Sequence, residues 1–155
     1  MPKKVIIIGL GNTLREDDSL GARAIEILKE LLPDHLSQYV LLKTEHQVDI
    51  AQAPLLANYD FVFFIDSCSN NTLPVEIKKI EPEREAALFT SHIGSISMLL
   101  YITQKFYACV PECYLVKIKG VNFGYGAKLS PEAAINAWLG AKSVIAMLNK
   151  TLPLN

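Results

Sequence analysis

No run of about 18 apolar residues occurs in the chain, so no transmembrane helix is expected. Neither sign of charge is in excess: 15 Lys and Arg stand against 16 Asp and Glu, a formal net charge of -1. That balance gives no bulk electrostatic reason to expect nucleic acid or an anionic membrane as a partner. Internal repeats, low-complexity tracts, blocks of like charge and interdomain linkers are also missing. Cysteine is scarce, at Cys68, Cys109 and Cys113 only. An odd count without framework spacing excludes a disulfide scaffold and suits a reducing compartment. Pro111 argues against a regular helix carrying Cys109 and Cys113 together, and no second cysteine pair completes a zinc site. All three are expected to be packing residues. Met1-Pro2-Lys3-Lys4 leads into an apolar run too short for a signal peptide, so the cytoplasm is the expected location.

What is present suffices for one sizeable core. The chain has 155 residues, 50% hydrophobic and 20% charged, the size of a single domain spanning residues 1–155. Val5-Ile6-Ile7-Ile8 is a continuous β-branched run, the mark of a strand buried on both faces. Gly9-Leu10-Gly11-Asn12 breaks it. Leu20, Ala24, Ile27, Leu28 and Leu31 then fall at helical spacing over 17–32, with Asp17 or Asp18 as the cap and Pro33 beyond the end. Residues 39–42 read as a second strand and 48–57 as a short helix with Pro54 as a blemish. Phe61 to Ile65 form a third strand ending at Asp66, and 67–74 a polar loop. Residues 75–80 alternate like a half-exposed strand. Residues 81–90 are irregular, and 92–107 an apolar helix. Residues 113–118 form a fifth strand and 120–129 a glycine-rich loop. Ser130-Pro131-Glu132 opens a last helix running to about Lys150. Strands alternating with helices predict an α/β fold with a mainly parallel sheet and helices on both faces.

In such folds ligands sit at the carboxyl ends of the strands. The first loop, the Glu45-His46-Gln47 segment, Asp66 and His92 are all expected along that edge. Each has a plain structural reading by itself: acids at a helix start stabilise its dipole, a strand-end Asp turns the chain, and a loop His is satisfied locally. Together, two carboxylates and an imidazole make a three-ligand divalent-metal site with open positions. Mixed oxygen and nitrogen donors suit nickel or zinc better than magnesium or calcium. Other chemistries fit poorly. The Gly9-Leu10-Gly11 start is no dinucleotide fingerprint, because the third glycine would fall at Leu14 and Glu16 to Asp18 would repel a pyrophosphate. It is similar to the Gly-Leu-Gly-Asn-Pro of peptidyl-tRNA hydrolases, but Thr13 replaces the proline and the charge balance is poor for tRNA. His-Glu-x-x-His and Gly-x-Ser-x-Gly are absent. Ser67, Cys68 and Ser91 lie near the expected site, and none is assigned as a nucleophile.

Over nearly its whole length the sequence resembles the maturation endopeptidases of nickel–iron hydrogenases. That family opens with a strand and a pattern like Gly-x-Gly-Asn-x-Leu-x-x-Asp-Asp/Glu-x-x-Gly. Here Gly9, Gly11, Asn12, Leu14, Asp17, Asp18 and Gly21 stand in those places. Phe61 to Asp66 resemble its hydrophobic strand ending in Asp, and His92 its helix-opening histidine. Gly120 to Gly124 and Leu129-Ser130-Pro131-Glu132 are similar to its closing elements. Ser19 stands where members often have Gly. The resemblance implies a twisted, mostly parallel five-stranded sheet between helices. It implies that Asp18, Asp66 and His92 are metal ligands. It also implies that these touch nickel already loaded into the precursor of a hydrogenase large subunit, whose C-terminal extension is then removed. Nickel would thus be part of the substrate; zinc or cadmium could take its place in a crystal. Asp17 is the candidate base for activating a water. Gly11, Asn12, Glu45 and Gln47 are candidate substrate contacts. The His46-Gln47 pair is similar to that of the subgroup serving bidirectional, NAD(P)-linked hydrogenases. A module that binds the nickel-loaded precursor without cutting it would use the same ligands.

Overall fold

The computed structural model describes residues 2–84, 92–126 and 128–152, with His92 described by its backbone alone. Five strands form one sheet: β1 (Val5–Leu10), β2 (Val40–Glu45), β3 (Phe61–Cys68), β4 (Val75–Ile80) and β5 (Glu112–Lys119). Their order is β2-β1-β3-β5-β4. The first four in that order run parallel, and β4 adds an antiparallel edge against β5. The all-apolar runs of β1 and β3 occupy central positions because both of their faces are covered. The alternating β4 is at an edge and half exposed, as its pattern predicts.

Helices α1 (Leu20–Leu31) and α5 (Pro131–Thr151) cover one face, where Val5, Ile7, Phe61, Phe63 and Ile65 meet Ala24, Leu28, Ala137, Ala141 and Val144. The short α2 (Asp34–Ser37) lies on the same side through Leu36. Helices α3 (Ala53–Leu56) and α4 (His92–Tyr107) cover the other face, where Ile6, Ile8, Val62 and Phe64 meet Leu56, Ile96, Leu99 and Leu100. This is the expected three-layer α/β fold. Each fully buried side chain of this size contributes about 1.5–3 kcal/mol over leaving it in water, so the two layers of Ile, Leu and Phe dominate the energetics.

Three local readings need correction. Helix α1 begins at Leu20, after a separate 3-10 turn over Glu16–Ser19, and neither Asp17 nor Asp18 caps it. Pro54 is no blemish, because it sits in the first turn of α3, where a missing N–H costs nothing. Cys113 packs in the core and Cys68 is half-buried, but Cys109 is exposed just after α4. Burial raises the Cys113 thiol well above its ordinary pKa, with a smaller push from Glu81. Of the stretch read as irregular, residues 85–90 lie outside the described residues, as does Ser91.

Candidate functional site

Two glycines bring the first loop to the strand ends. A Cβ on Gly21 would stand 2.3 Å from the Leu10 carbonyl oxygen and 2.7 Å from that of Ile65. A Cβ on Gly9 would meet the Gly21 carbonyl at 2.3 Å. The start of α1 therefore rests directly on the backbones of β1 and β3. Gly11, at φ +131°, turns the chain away from β1 in a conformation that disfavours any side chain. Its N–H is shared between the carbonyls of Glu45 (3.2 Å) and His46 (3.3 Å), which ties the loop to the end of β2.

The 3-10 turn that follows points its acids in different directions, because at about three residues per turn adjacent side chains diverge by roughly 120°. Asp18 turns toward the strand ends. Its Oδ2 accepts from the Asn12 N–H (2.9 Å) and its Oδ1 from the Ser67 hydroxyl (3.3 Å). A carboxylate has about four acceptor positions, so these two donors leave half the capacity of Asp18 for something else. It is half-buried, facing the edge.

Asp17 turns inward and is fully buried. Its Oδ2 accepts from the N–H groups of Val121 (2.7 Å) and Asn122 (2.8 Å) and from the Ser130 hydroxyl (2.8 Å). Its Oδ1 accepts from the Ser130 N–H (2.9 Å). Four donors fill the carboxylate. Burial by itself would raise the Asp17 pKa, but the hydrogen bonds from Asn122, Ser130 and Val121 outweigh it and hold the group below its ordinary value. A carboxylate both saturated and made less basic is a poor proton acceptor, which argues against the expected role of Asp17 as the base. Nor is it a cap for α1. It ties the 3-10 turn to the loop before α5, whose own cap is Ser130.

Asp66 is buried near the end of β3, and its Oδ1 accepts from the Ser67 N–H (2.9 Å). The strand runs on to Cys68, two residues past the expected end. Alternation along β3 puts Asp66 on the face of Val62 and Phe64, which α4 covers. Ser67 belongs to the face of Phe63 and Ile65, where it reaches Asp18. Asp18 and Asp66 thus flank Ser67 across the sheet edge. After α4, β5 begins at Glu112, paired with Phe61 at the start of β3. The end of α4 therefore lies at the amino edge of the sheet, and the helix runs from His92 at its other end, toward the carboxyl edge. The His92 side chain lies outside the described residues. Among the described residues no cluster of three His, Cys, Asp or Glu side chains is found.

A cleft of about 480 Å³ opens between the first loop, the end of β2 and Ala22 of α1. Gly11, Asn12, Glu45 and His46 line it with Thr13 and Thr44. Gln47 is exposed and is not among the lining residues. The contacts of two serines, Ser67 with Asp18 and Ser130 with Asp17, were not legible in the sequence. Ser67 was indistinguishable from any polar residue after a strand, and Ser130 showed only its capping role.

No family model matches the chain, and no curated protein does. Solved structures do. The hydrogenase maturating endopeptidase HybD from E. coli is 23% identical and superposes with a TM-score of 0.75, covering 96% of this chain and 93% of its own. The NiFe hydrogenase maturation protease HycI from Thermococcus kodakarensis is 19% identical, with a TM-score of 0.72 over 96% of this chain and 94% of its own. HybD from the same organism is 22% identical, with a TM-score of 0.68 over 94% and 99%. From β1 to α5, this chain has the fold of the hydrogenase maturation proteases.

Proposed function

We propose that this chain is an endopeptidase that recognises nickel in the precursor of a nickel–iron hydrogenase large subunit and removes its C-terminal extension. The observation that carries the reading is the pair Asp18 and Asp66. They flank Ser67 at the carboxyl edge of a sheet, in a fold shared almost end to end with maturation proteases. Nickel is substrate here. Asp18, with half its acceptor capacity unused, Asp66 and His92 are the side chains that would touch it, and a hard-oxygen and imidazole set suits that ion. The cleft lined by Gly11, Asn12, Glu45 and His46 is where the adjoining polypeptide would lie, with Gln47 at its margin. The His46-Gln47 pair favours a precursor of the bidirectional, NAD(P)-linked type, in the cytoplasm. Hydrolysis adds water to the scissile carbonyl, breaks the C–N bond and leaves the proton on the departing amine. With Asp17 saturated, a proton acceptor must come from the edge itself.

Asp18→Ala, Asp66→Ala and His92→Ala are expected to abolish trimming of a nickel-loaded precursor while circular dichroism stays unchanged. Collapse of the fold in these variants would show the residues to be structural. A wild-type protein that binds the loaded precursor and never shortens it would replace the protease reading with that of an assembly module.

A further inference from the structure

We infer that Asp17 is a positioning residue that sets the Asp18 carboxylate by clasping the 121–130 loop onto the 3-10 turn. The inference rests on the reading of Asp18 as a residue that meets nickel. The clasp is built along both chains. Besides the four donors on its carboxylate, Asp17 donates its N–H to the Asn122 carbonyl (2.8 Å). Glu16 donates to the Gly126 carbonyl (2.7 Å), Gly126 donates back to Leu14 (2.9 Å), and the Arg15 guanidinium reaches the Phe123 carbonyl (3.1 Å). Arg15 also stacks over the Tyr125 ring at 5.2 Å.

The turn needs this restraint. Glu16 sits at φ +26°, a conformation that a residue with a Cβ keeps only when its surroundings impose it. The one side chain of the turn that faces the sheet edge, Asp18, is held there by two hydrogen bonds, one of them long at 3.3 Å. Its direction therefore depends on where the turn is fixed, and Asp17 is what fixes it from behind. A buried group that only joined two loops would not need to sit next in sequence to the residue at the edge. Here one peptide bond separates the saturated carboxylate from the one with acceptor capacity to spare.

The test is amide hydrogen exchange, read residue by residue by NMR, on wild-type protein, Asp17→Asn and Ser130→Ala. The reporter is the Asn12 amide, which donates to Asp18 and is not one of the four donors on Asp17. In Asp17→Asn its exchange is expected to quicken at least tenfold, together with Val121, Asn122 and Ser130, while Ile7 and Phe63 in the core keep their protection. Ser130→Ala, which removes one of the four donors, should give a smaller change of the same pattern, and it decides the matter should Asp17→Asn fail to fold. Quickened exchange at Val121 and Asn122 with Asn12 unchanged would overturn the inference and leave Asp17 a local staple. The same samples are assayed with nickel-loaded precursor, where kcat is expected to fall at least tenfold in Asp17→Asn. A wild-type protein that does not cleave refutes the protease reading, while the Asn12 result still stands or falls by itself.

Discussion

Replacing Asp17 by Ala removes the acceptor of four hydrogen bonds, and the donors left behind are not equal. Val121 and Asn122 are both exposed, so water can reach their N–H groups once the carboxylate is gone. Ser130 is buried, and both its N–H and its hydroxyl lose their partner. At about 1–3 kcal/mol for each buried group left unsatisfied, the two Ser130 donors set the cost of Asp17→Ala at roughly 2–6 kcal/mol. Ser130→Ala removes one of those donors and the cap of α5, and should cost about 1–2 kcal/mol. Urea titrations of the two variants and the wild type at neutral pH measure both numbers. The stabilisation also carries a pH signature. The folded Asp17 has its pKa held below the ordinary 3.8. Its contribution is therefore complete above the unfolded pKa and is lost as the pH falls through the lower, folded one. Wild type and Asp17→Ala should differ most at neutral pH and converge in strong acid. A cost below about 1 kcal/mol, smaller than that of Ser130→Ala, would refute the reasoning. So would a difference that grows on acidification.

Gly21→Ala should destabilise by about 1–3 kcal/mol or more, read as a lowered urea midpoint. The atoms it strikes are backbone carbonyls of β1 and β3 that cannot rotate aside. Gly124→Ala, where a Cβ would meet nothing closer than the Glu16 carboxylate at 3.8 Å, should be nearly neutral. Thiol titration of the native protein should find Cys109 reacting fast and Cys68 more slowly. Cys113 should react only on unfolding, because burial both shields it and disfavours its thiolate.

The sheet was legible because its central strands are written in unbroken Val, Ile and Phe. The strand over 75–80 and the helix over 92–107 fall where alternation and apolar content put them. The boundary before α1 was not legible. Leu20 to Leu31 fit one helical period, and nothing in the residues announced that Glu16 to Ser19 would tighten into a 3-10 turn. Helix α2, at four residues, is too short to show a period. Asp18 and Asp66 were placed at the sheet edge by topology alone, and that is where they lie. The inward turn of Asp17 could not be seen, because its partners lie 104 to 113 positions away and are mostly backbone N–H groups that no residue type reveals. Cys109 was expected to pack by residue type. Its position, two residues past α4 and two before Pro111, leaves it outside the core.

On the proposed function, the carboxyl edge reads nickel in a protein substrate and that reading licenses cleavage. Incubating the protein with the C-terminal part of a cognate hydrogenase large subunit, nickel-loaded or nickel-free, and measuring intact mass tests it most directly. Loss of the mass of the C-terminal extension is expected with the nickel-loaded substrate alone, and none when Asp18→Ala is used. Equal cleavage of both substrates, or a loaded substrate that stays at full length while bound, would contradict it.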